Sequence, residues 1–373
     1  MTTSPRTFQA SAILREVAEE LDITPAQRER AIESYTKLGD FLCEPGTLLA
    51  PLSPAVYPQG SFEIGTVTKP LHRNEDFDLD AVCRVNTTTS RHTQAQVKEM
   101  LGLRLNQSPN YSRMLQPEKR RCWRLDYAEA TKFHMDLLPA IPDDGNYIIA
   151  QGINPAYCEA PICLTDNKSA DYPQYRAKWH RSNPKGYALW FREQMAVQLA
   201  EALRVRAEEI RMSVDEVSFY EVKTPLQRAI QLMKRHRSKA YGQDEDRPIS
   251  IIITTLAARA YADHPETDLY QALITLLDRM PYYIEKKVIK GKEVDWIGSP
   301  VTPFENYADK WIETPRKRLL FYQWLTLAKS DFTNAFAQHG LGAIGTDLKA
   351  CLGDRVVERA LSSYGQRFSS RVV

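Results

Sequence analysis

The chain has 373 residues, of which 43% are hydrophobic and 26% charged, and its formal net charge at pH 7 is +2. That balance belongs to a folded protein with room for two packed lobes and excludes one small domain. A charge so near neutrality gives no global field that argues for binding long nucleic acid, so any anionic ligand is held by a local site.

The opening stretch MTTSPRTFQASAILREVAEEL breaks its apolar residues with charges too often for a signal peptide, and no later run reaches membrane-spanning length. The expected location is cytoplasmic, with no membrane partner. Cys43, Cys83, Cys122, Cys158, Cys163 and Cys351 lie far apart with no CxxC pair, which favours free, packed thiols over a metal group of His134, Cys158 and Cys163.

From Phe8 to Leu42 the spacing predicts helix, with Ile13, Val17 and Leu21 and then Ile32, Tyr35 and Leu38 on apolar faces, and Thr24-Pro25 marking a fresh start. Pro51, Pro54 and Pro58 interrupt it before YPQGSFEIGT. FDLDAVCRV alternates as a strand does, a polar stretch follows, and a helix is predicted near Gln94–Leu101. RCWRLDYA and KFHMDLLPAI are separated by few residues and predict an antiparallel hairpin. A loop is expected from about Pro142 to Trp179, and helices from Gly186 onward. The clearest helix is TPLQRAIQLMKRHRSKAY, with Leu226, Ala229, Ile230 and Met233 in one stripe behind a Thr224-Pro225 start. The terminal SSYGQRFSSRVV reads as a polar, mobile tail. The expected class is α+β: residues 1–175 form a mixed sheet with flanking helices and a long N-terminal helix, and residues 176–373 form a helical lobe.

Asp78 and Asp80 sit two apart in FDLDAV, so both carboxylates leave the same face of the strand. Asp136, in FHMDLLPAI, can approach them from a neighbouring strand. Three hard oxygen ligands of this kind suit Mg²⁺ or Mn²⁺, and two such ions assist in-line phosphoryl-type transfer. A single DxD also arises by chance at surfaces and turns. Its setting among Phe77, Leu79, Ala81 and Val82 argues against that, because acids in an apolar strand are costly without a partner. Upstream, Gly60-Ser61 reads as a turn opening a short helix, able to present N–H groups and a hydroxyl to phosphate. The chain lacks the GxxxxGK[ST] loop of an ATPase or kinase.

YPQGSFEIGTVTKP, NEDFDLDAV and FHMDLLPA, in that order, resemble the polymerase β-type nucleotidyltransferase core, and their spacing resembles its cGAS/DncV-like branch. KWHRSNPKGYALWF, KTPLQRAIQLMKRHR and RPISIIITTLAA resemble the second-messenger oligonucleotide or dinucleotide synthetases of bacterial anti-phage (CBASS) systems, extending the match over roughly Tyr57 to Trp311. The resemblance implies a polymerase β-like core and a helical lobe with the active site in the cleft between them. It implies Asp78, Asp80 and Asp136 as the carboxylates of two Mg²⁺ or Mn²⁺ ions, with Asp136 also helping to deprotonate the attacking ribose hydroxyl. It implies Gly60 and Ser61 as the phosphate turn, Lys234 and Ser250 as further phosphate contacts, and Ser182 and Asn183 as neighbours of a nucleobase. Read alone, Lys234 is equally a residue of a solvated helix face, Ser250 an N-cap, and Ser182-Asn183 an N-cap before Pro184. Tyr57 and Trp179 can stack on a base or fill the core, and Lys119, Arg120 and Arg121 read as a solvated turn.

The implied reaction joins nucleoside triphosphates, ATP and other NTPs, into a cyclic di- or trinucleotide read by a downstream effector. No tight His/Cys cluster matches the zinc insertion of the animal branch, so no activation by DNA is expected. The end Arg371-Val372-Val373 leaves a C-terminal link to a regulatory CBASS protein open. A linear oligonucleotide synthase, a transferase using another acceptor, and a nucleotide-binding pseudoenzyme are the competing readings.

Overall fold

The computed structural model describes residues 5–71, 76–127 and 133–369, so Arg371-Val372-Val373 lies outside the described residues. Contacts divide the chain into two compact units: Ile23–Trp190 with Pro300–Pro303, and Met1–Asp22 with Phe191–Ser299 and Phe304–Val373. The first helix, α1 (Pro5–Leu21), therefore belongs with the later helices, and the chain leaves the sheet unit after Trp190.

The sheet unit opens with α2 (Pro25–Leu42), whose start is a capping box. Thr24 Oγ1 accepts from the Gln27 N–H at 3.2 Å and Gln27 Oε1 accepts from the Thr24 N–H at 2.9 Å, satisfying donors the helix itself leaves free. Next come β1 (Ala55–Pro58), α3 (Gly60–Glu63), β2 (Phe77–Arg84), α4 (Gln94–Asn106) and α5 (Pro109–Met114). They are followed by β3 (Trp123–Asp126), β4 (Phe133–Pro142), α6 (Asn146–Ala150), β5 (Ile162–Leu164), β6 (His180–Ser182) and α7 (Pro184–Glu193). The sheet runs β1-β2-β4-β5-β6, with β3 also on β4. β2 and β4 are parallel and the other pairs antiparallel, which makes the expected mixed sheet and the expected β3–β4 pairing.

Alternation decides what each face carries. Phe77, Leu79, Ala81 and Cys83 of β2 and Phe133, Met135, Leu137 and Ile141 of β4 are buried in one core with Leu38 and Leu42 of α2 and Val97, Leu101 and Leu105 of α4. Asp78 and Asp80, and His134 and Asp136, alternate with those core residues and leave from the opposite face.

The helical unit continues with α8 (Ala196–Ile210), α9 (Pro225–Tyr241), α10 (Ser250–Asp263) and α11 (Leu269–Arg279). A hairpin of β7 (Glu285–Ile289) and β8 (Lys292–Trp296) precedes α12 (Lys310–Glu313), α13 (Pro315–Ala337), α14 (Leu341–Leu352) and α15 (Asp354–Ser369). The stripe expected in α9 is in place: Leu226, Ala229, Ile230 and Met233 are buried behind a Thr224 capping box.

Three stretches differ from the expectation. The loop expected from Pro142 to Trp179 contains α6 and β5, with β6 directly after it, because Ile162, Cys163 and Leu164 supply a short buried strand. The β7–β8 hairpin interrupts the helices, turning at Lys290 and Gly291, both at positive φ. The supposed mobile tail is α15 as far as Ser369: Val357, Ala360 and Tyr364 recur at helical spacing and are buried, and Arg367 pairs with Glu16 of α1 at 2.9 Å and Glu19 at 3.1 Å. The polar composition of the segment masks that stripe. Among the described residues no helix is long and apolar enough to cross a membrane.

Candidate active site

In the parallel pairing of β2 with β4, Asp80 stands opposite Asp136 and Asp78 opposite His134. The three carboxylates thus share one sheet face on adjacent strands. The Gly-Ser turn is tied to the same strand, since the Gln59 N–H donates to the Asp80 carbonyl at 2.8 Å. Gly60 has φ +63°, and a Cβ there would lie 2.8 Å from Asp80 Oδ2. Only glycine permits both the left-handed turn and the close approach of the carboxylate. Ser61 follows as the second residue of the four-residue α3, and its carbonyl accepts from the Thr66 N–H at 2.8 Å.

Basic side chains surround the acids. Arg124, opposite Asp136 in the β3–β4 register, grips it with both arms of a fork: Nε donates to Oδ1 at 2.7 Å and Nη2 to Oδ2 at 2.8 Å. The same Nη2 is 3.6 Å from Asp78 Oδ1, and Lys119 Nζ is 3.8 Å from Asp136 Oδ1. His134 Nε2 meets Asp78 Oδ1 in a short contact. Burial pushes the Asp78 carboxyl up, but the His134 hydrogen bond and the charges of His134, Arg124 and Lys119 outweigh it, so its pKa falls below the ordinary value.

The turn that carries Lys119 is solvated, as expected from sequence, and is also anchored to α4. Lys98, buried in α4, donates to the Lys119 carbonyl and, at 2.9 Å, to the Arg120 carbonyl. Arg120 and Arg121 both pair with Asp166, at 2.8 and 3.0 Å. Burial raises the Asp166 pKa, and Arg120, the Lys168 N–H and Arg121 together carry it down to about 2.

The donor set fits a divalent ion. It consists of hard carboxylate oxygens on one face, and one guanidinium already reaches two of them, so the position attracts cations.

The remaining residues named from sequence sit as follows. Asn183 is buried and works as a clamp: its amide nitrogen donates to the Tyr157 carbonyl at 2.6 Å and its Oδ1 accepts from the Gly186 N–H at 3.0 Å, in the first turn of α7. Ser182 ends β6 opposite Ile162 of β5. Trp179 is a core residue, whereas the Tyr57 ring lies 4.8 Å from the Lys185 ammonium with its hydroxyl buried and unpartnered.

In the helical unit Lys234, Arg235, His236 and Arg237 are all buried, which replaces the solvated helix face with an interior basic run. Ile249 is the N-cap of α10, and Ser250 is its first residue. The Ser250 hydroxyl accepts from Arg237 at 3.3 Å, and Arg237 also donates to the Pro248 carbonyl at 2.5 Å. Burial, with the charge of Arg247, lowers the Arg237 pKa to about 10.

His134, Cys158 and Cys163 form no metal-type group among the described residues. One such group does occur there: His236, Asp331 and Cys351 bring an imidazole nitrogen, a carboxylate oxygen and a thiol within 4.8 Å of one another, a set able to hold a metal ion. The cysteines are free thiols, and four of them, Cys83, Cys122, Cys163 and Cys351, are buried.

A mixed sheet presenting acids beside a glycine-serine turn, together with a helical unit, defines a nucleotidyltransferase fold. Residues 54–139 match the nucleotidyltransferase domain of the cyclic GMP-AMP synthase DncV-like family. The chain is 27% identical over 374 residues to a c-di-GMP synthase of Roseivirga ehrenbergii, covering 100% of this chain and 91% of the relative. It is 25% identical over 375 residues to the cyclic dinucleotide synthase CdnG of Bradyrhizobium diazoefficiens, covering 97% and 84%. The fold is similar to a solved structure of that CdnG in complex with GTP, with TM-score 0.70 at 22% identity over 96% of this chain and 99% of the other. Residues 54–139 thus carry a nucleotidyltransferase domain of the DncV-like family, and the chain is similar along its length to cyclic dinucleotide synthases.

Sequence reasoning missed Arg124, His134 and Lys119 as parts of this site. The predicted β3–β4 hairpin placed Arg124 near Asp136, but facing partners follow from register, and register depends on a turn that the sequence leaves open.

Proposed function

We propose that the chain is a metal-dependent nucleotidyltransferase that condenses two nucleoside triphosphates into a cyclic dinucleotide, with GTP among its substrates. The observation that carries the chemistry is the placement of Asp78, Asp80 and Asp136 on one face of adjacent strands, with Gly60 against Asp80. A divalent ion held by these carboxylates would ease loss of the hydroxyl proton and steady the departing pyrophosphate. In each of two rounds, a ribose hydroxyl oxygen of one nucleotide bonds to the α-phosphorus of the other. The bond from that phosphorus to the bridging oxygen breaks, pyrophosphate leaves, and Asp136 helps to draw off the proton.

Gly60 and Ser61 contact the triphosphate, with Lys234 and Ser250 supplying a cation and a hydroxyl to phosphate oxygens. Asn183 acts on the base side by holding Ser182 and the start of α7 in place, because its own amide is spent on Tyr157 and Gly186. Support for guanine comes from the two relatives, one named for c-di-GMP and the other solved with GTP. ATP stays as a second substrate, and a trinucleotide as the alternative ring.

The test is incubation of purified protein with labelled GTP, ATP, CTP and UTP, singly and together, with Mg²⁺ or Mn²⁺, followed by phosphatase and mass spectrometry. A phosphatase-resistant product from GTP alone or with ATP is the expected outcome. Linear products only would transfer the chain to the oligonucleotide-tailing reading, and nucleotide binding without turnover would make it a pseudoenzyme.

A further inference from the structure

We propose that Arg124 is a built-in counter-cation of the carboxylate site, one that competes with the divalent ion for Asp136 and so sets how much metal the site requires. The proposal rests on the reading of Asp78, Asp80 and Asp136 as the metal carboxylates. Arg124 uses Nε and Nη2 to engage both oxygens of Asp136, at 2.7 and 2.8 Å, occupying the two-oxygen side of that carboxylate from which it would chelate a cation. The same guanidinium lies 3.6 Å from Asp78 and so covers the space between the two acids that a shared ion would occupy. Its placement comes from the strand register, which sets Arg124 directly across from Asp136, and it is not the drift of an exposed chain: the side chain is only 25% exposed.

Two further basic groups enclose the acids, Lys119 near Asp136 and His134 on Asp78, yet neither makes a two-armed contact. A guanidinium and a dication on one carboxylate repel each other at contact distance. Binding of the ion therefore requires Arg124 to let go of Asp136. A released guanidinium is matched in shape and charge to a phosphate, which is the partner a nucleotide brings. The exchange suppresses metal capture in the absence of nucleotide and keeps the acids from repelling one another in the meantime.

The test uses Mn²⁺ alone, followed by electron paramagnetic resonance on the nucleotide-free full chain, with Arg124→Gln, Arg124→Lys and Asp136→Asn beside wild type. The expected result is Mn²⁺ binding at least about fivefold tighter in Arg124→Gln, an intermediate change in Arg124→Lys, which keeps charge but loses the fork, and no site in Asp136→Asn. Should Arg124→Gln fail to fold, Arg124→Lys carries the comparison alone, with tighter binding expected. Wild type that binds Mn²⁺ at the Asp136-dependent site, while the Arg124 variants bind equally or more weakly, would overturn the competition and leave the metal site standing. Absence of an Asp136-dependent site in every protein would overturn the carboxylate assignment itself.

Discussion

On the free face of β2 and β4, Asp78, Asp80 and Asp136 stand with Arg124, Lys119 and His134, whereas in the helical unit His236, Asp331 and Cys351 meet on α9, α13 and α14. Both places collect side chains that can bind metal, but they settle their charge differently. The sheet face gathers oxygen acids, and its counter-charges are themselves ionic. Asp78 is held in the charged form. In the helical unit, burial pulls the His236 pKa down against the opposing Asp331, and pushes the Cys351 thiol up to about 12, so both groups favour their neutral forms. His236 Nε2 is 3.0 Å from Asp331, and the Cys351 thiol donates to the Leu348 carbonyl at 3.5 Å. Charge that can change partners suits chemistry on triphosphates, and buried groups in their neutral forms suit packing.

The strongest challenge to that contrast is to strip the sheet face of charge. Asp78→Asn combined with Asp80→Asn is expected to lower synthesis by about a thousandfold or more while leaving the melting temperature within a few degrees, measured by product formation and thermal unfolding. Full activity in the double variant would remove the carboxylates from the mechanism.

Next in size is Gly60→Ala, which forces a Cβ at φ +63° against Asp80 Oδ2. The strain is of the order of 1–3 kcal/mol, and kcat is expected to fall roughly tenfold to a hundredfold as Asp80 is displaced. Steady-state kinetics with melting curves would separate the two effects, and unchanged kcat would mean that the turn yields without moving the acid.

On the helical side, His236→Ala removes a buried ring and leaves Asp331 without its partner, so a loss of about 2–4 kcal/mol is expected in denaturant unfolding. A merely surface-sized loss would show that the group is slack. Lys234→Ala is expected to raise the apparent KM for nucleotide about tenfold with a smaller change in kcat; an unaltered KM would remove Lys234 from phosphate binding.

The smallest effect is a pH dependence. Because the folded pKa of His236 lies below its unfolded value of about 6.5, its contribution is complete above that pH and declines as pH falls through the interval beneath it. Wild type should lose melting temperature below about pH 6.5 more steeply than His236→Gln, and parallel curves would assign the acid sensitivity elsewhere.

Much of the sheet face could be read in advance because its rules are local. Alternation in FDLDAV put Asp78 and Asp80 on one side with Asp136 expected on a neighbouring strand, and Thr24-Pro25 and Thr224-Pro225 announced helix starts, which capping boxes complete in the structure. What escaped depended on distant partners. Lys234 to Arg237 looked like a wetted face until neighbouring helices covered it, and Asp331 reaches His236 across 95 positions. The β7–β8 hairpin was hidden because all five residues of its first strand are exposed and so show no burial alternation.

Gly60 and Asp80 also bear on how such a protein can diverge. The turn is bonded to the strand through Gln59 and abuts the carboxylate through Gly60, so a change in either one is felt by the other. A substitution that preserves the site must therefore suit the turn and the strand at once.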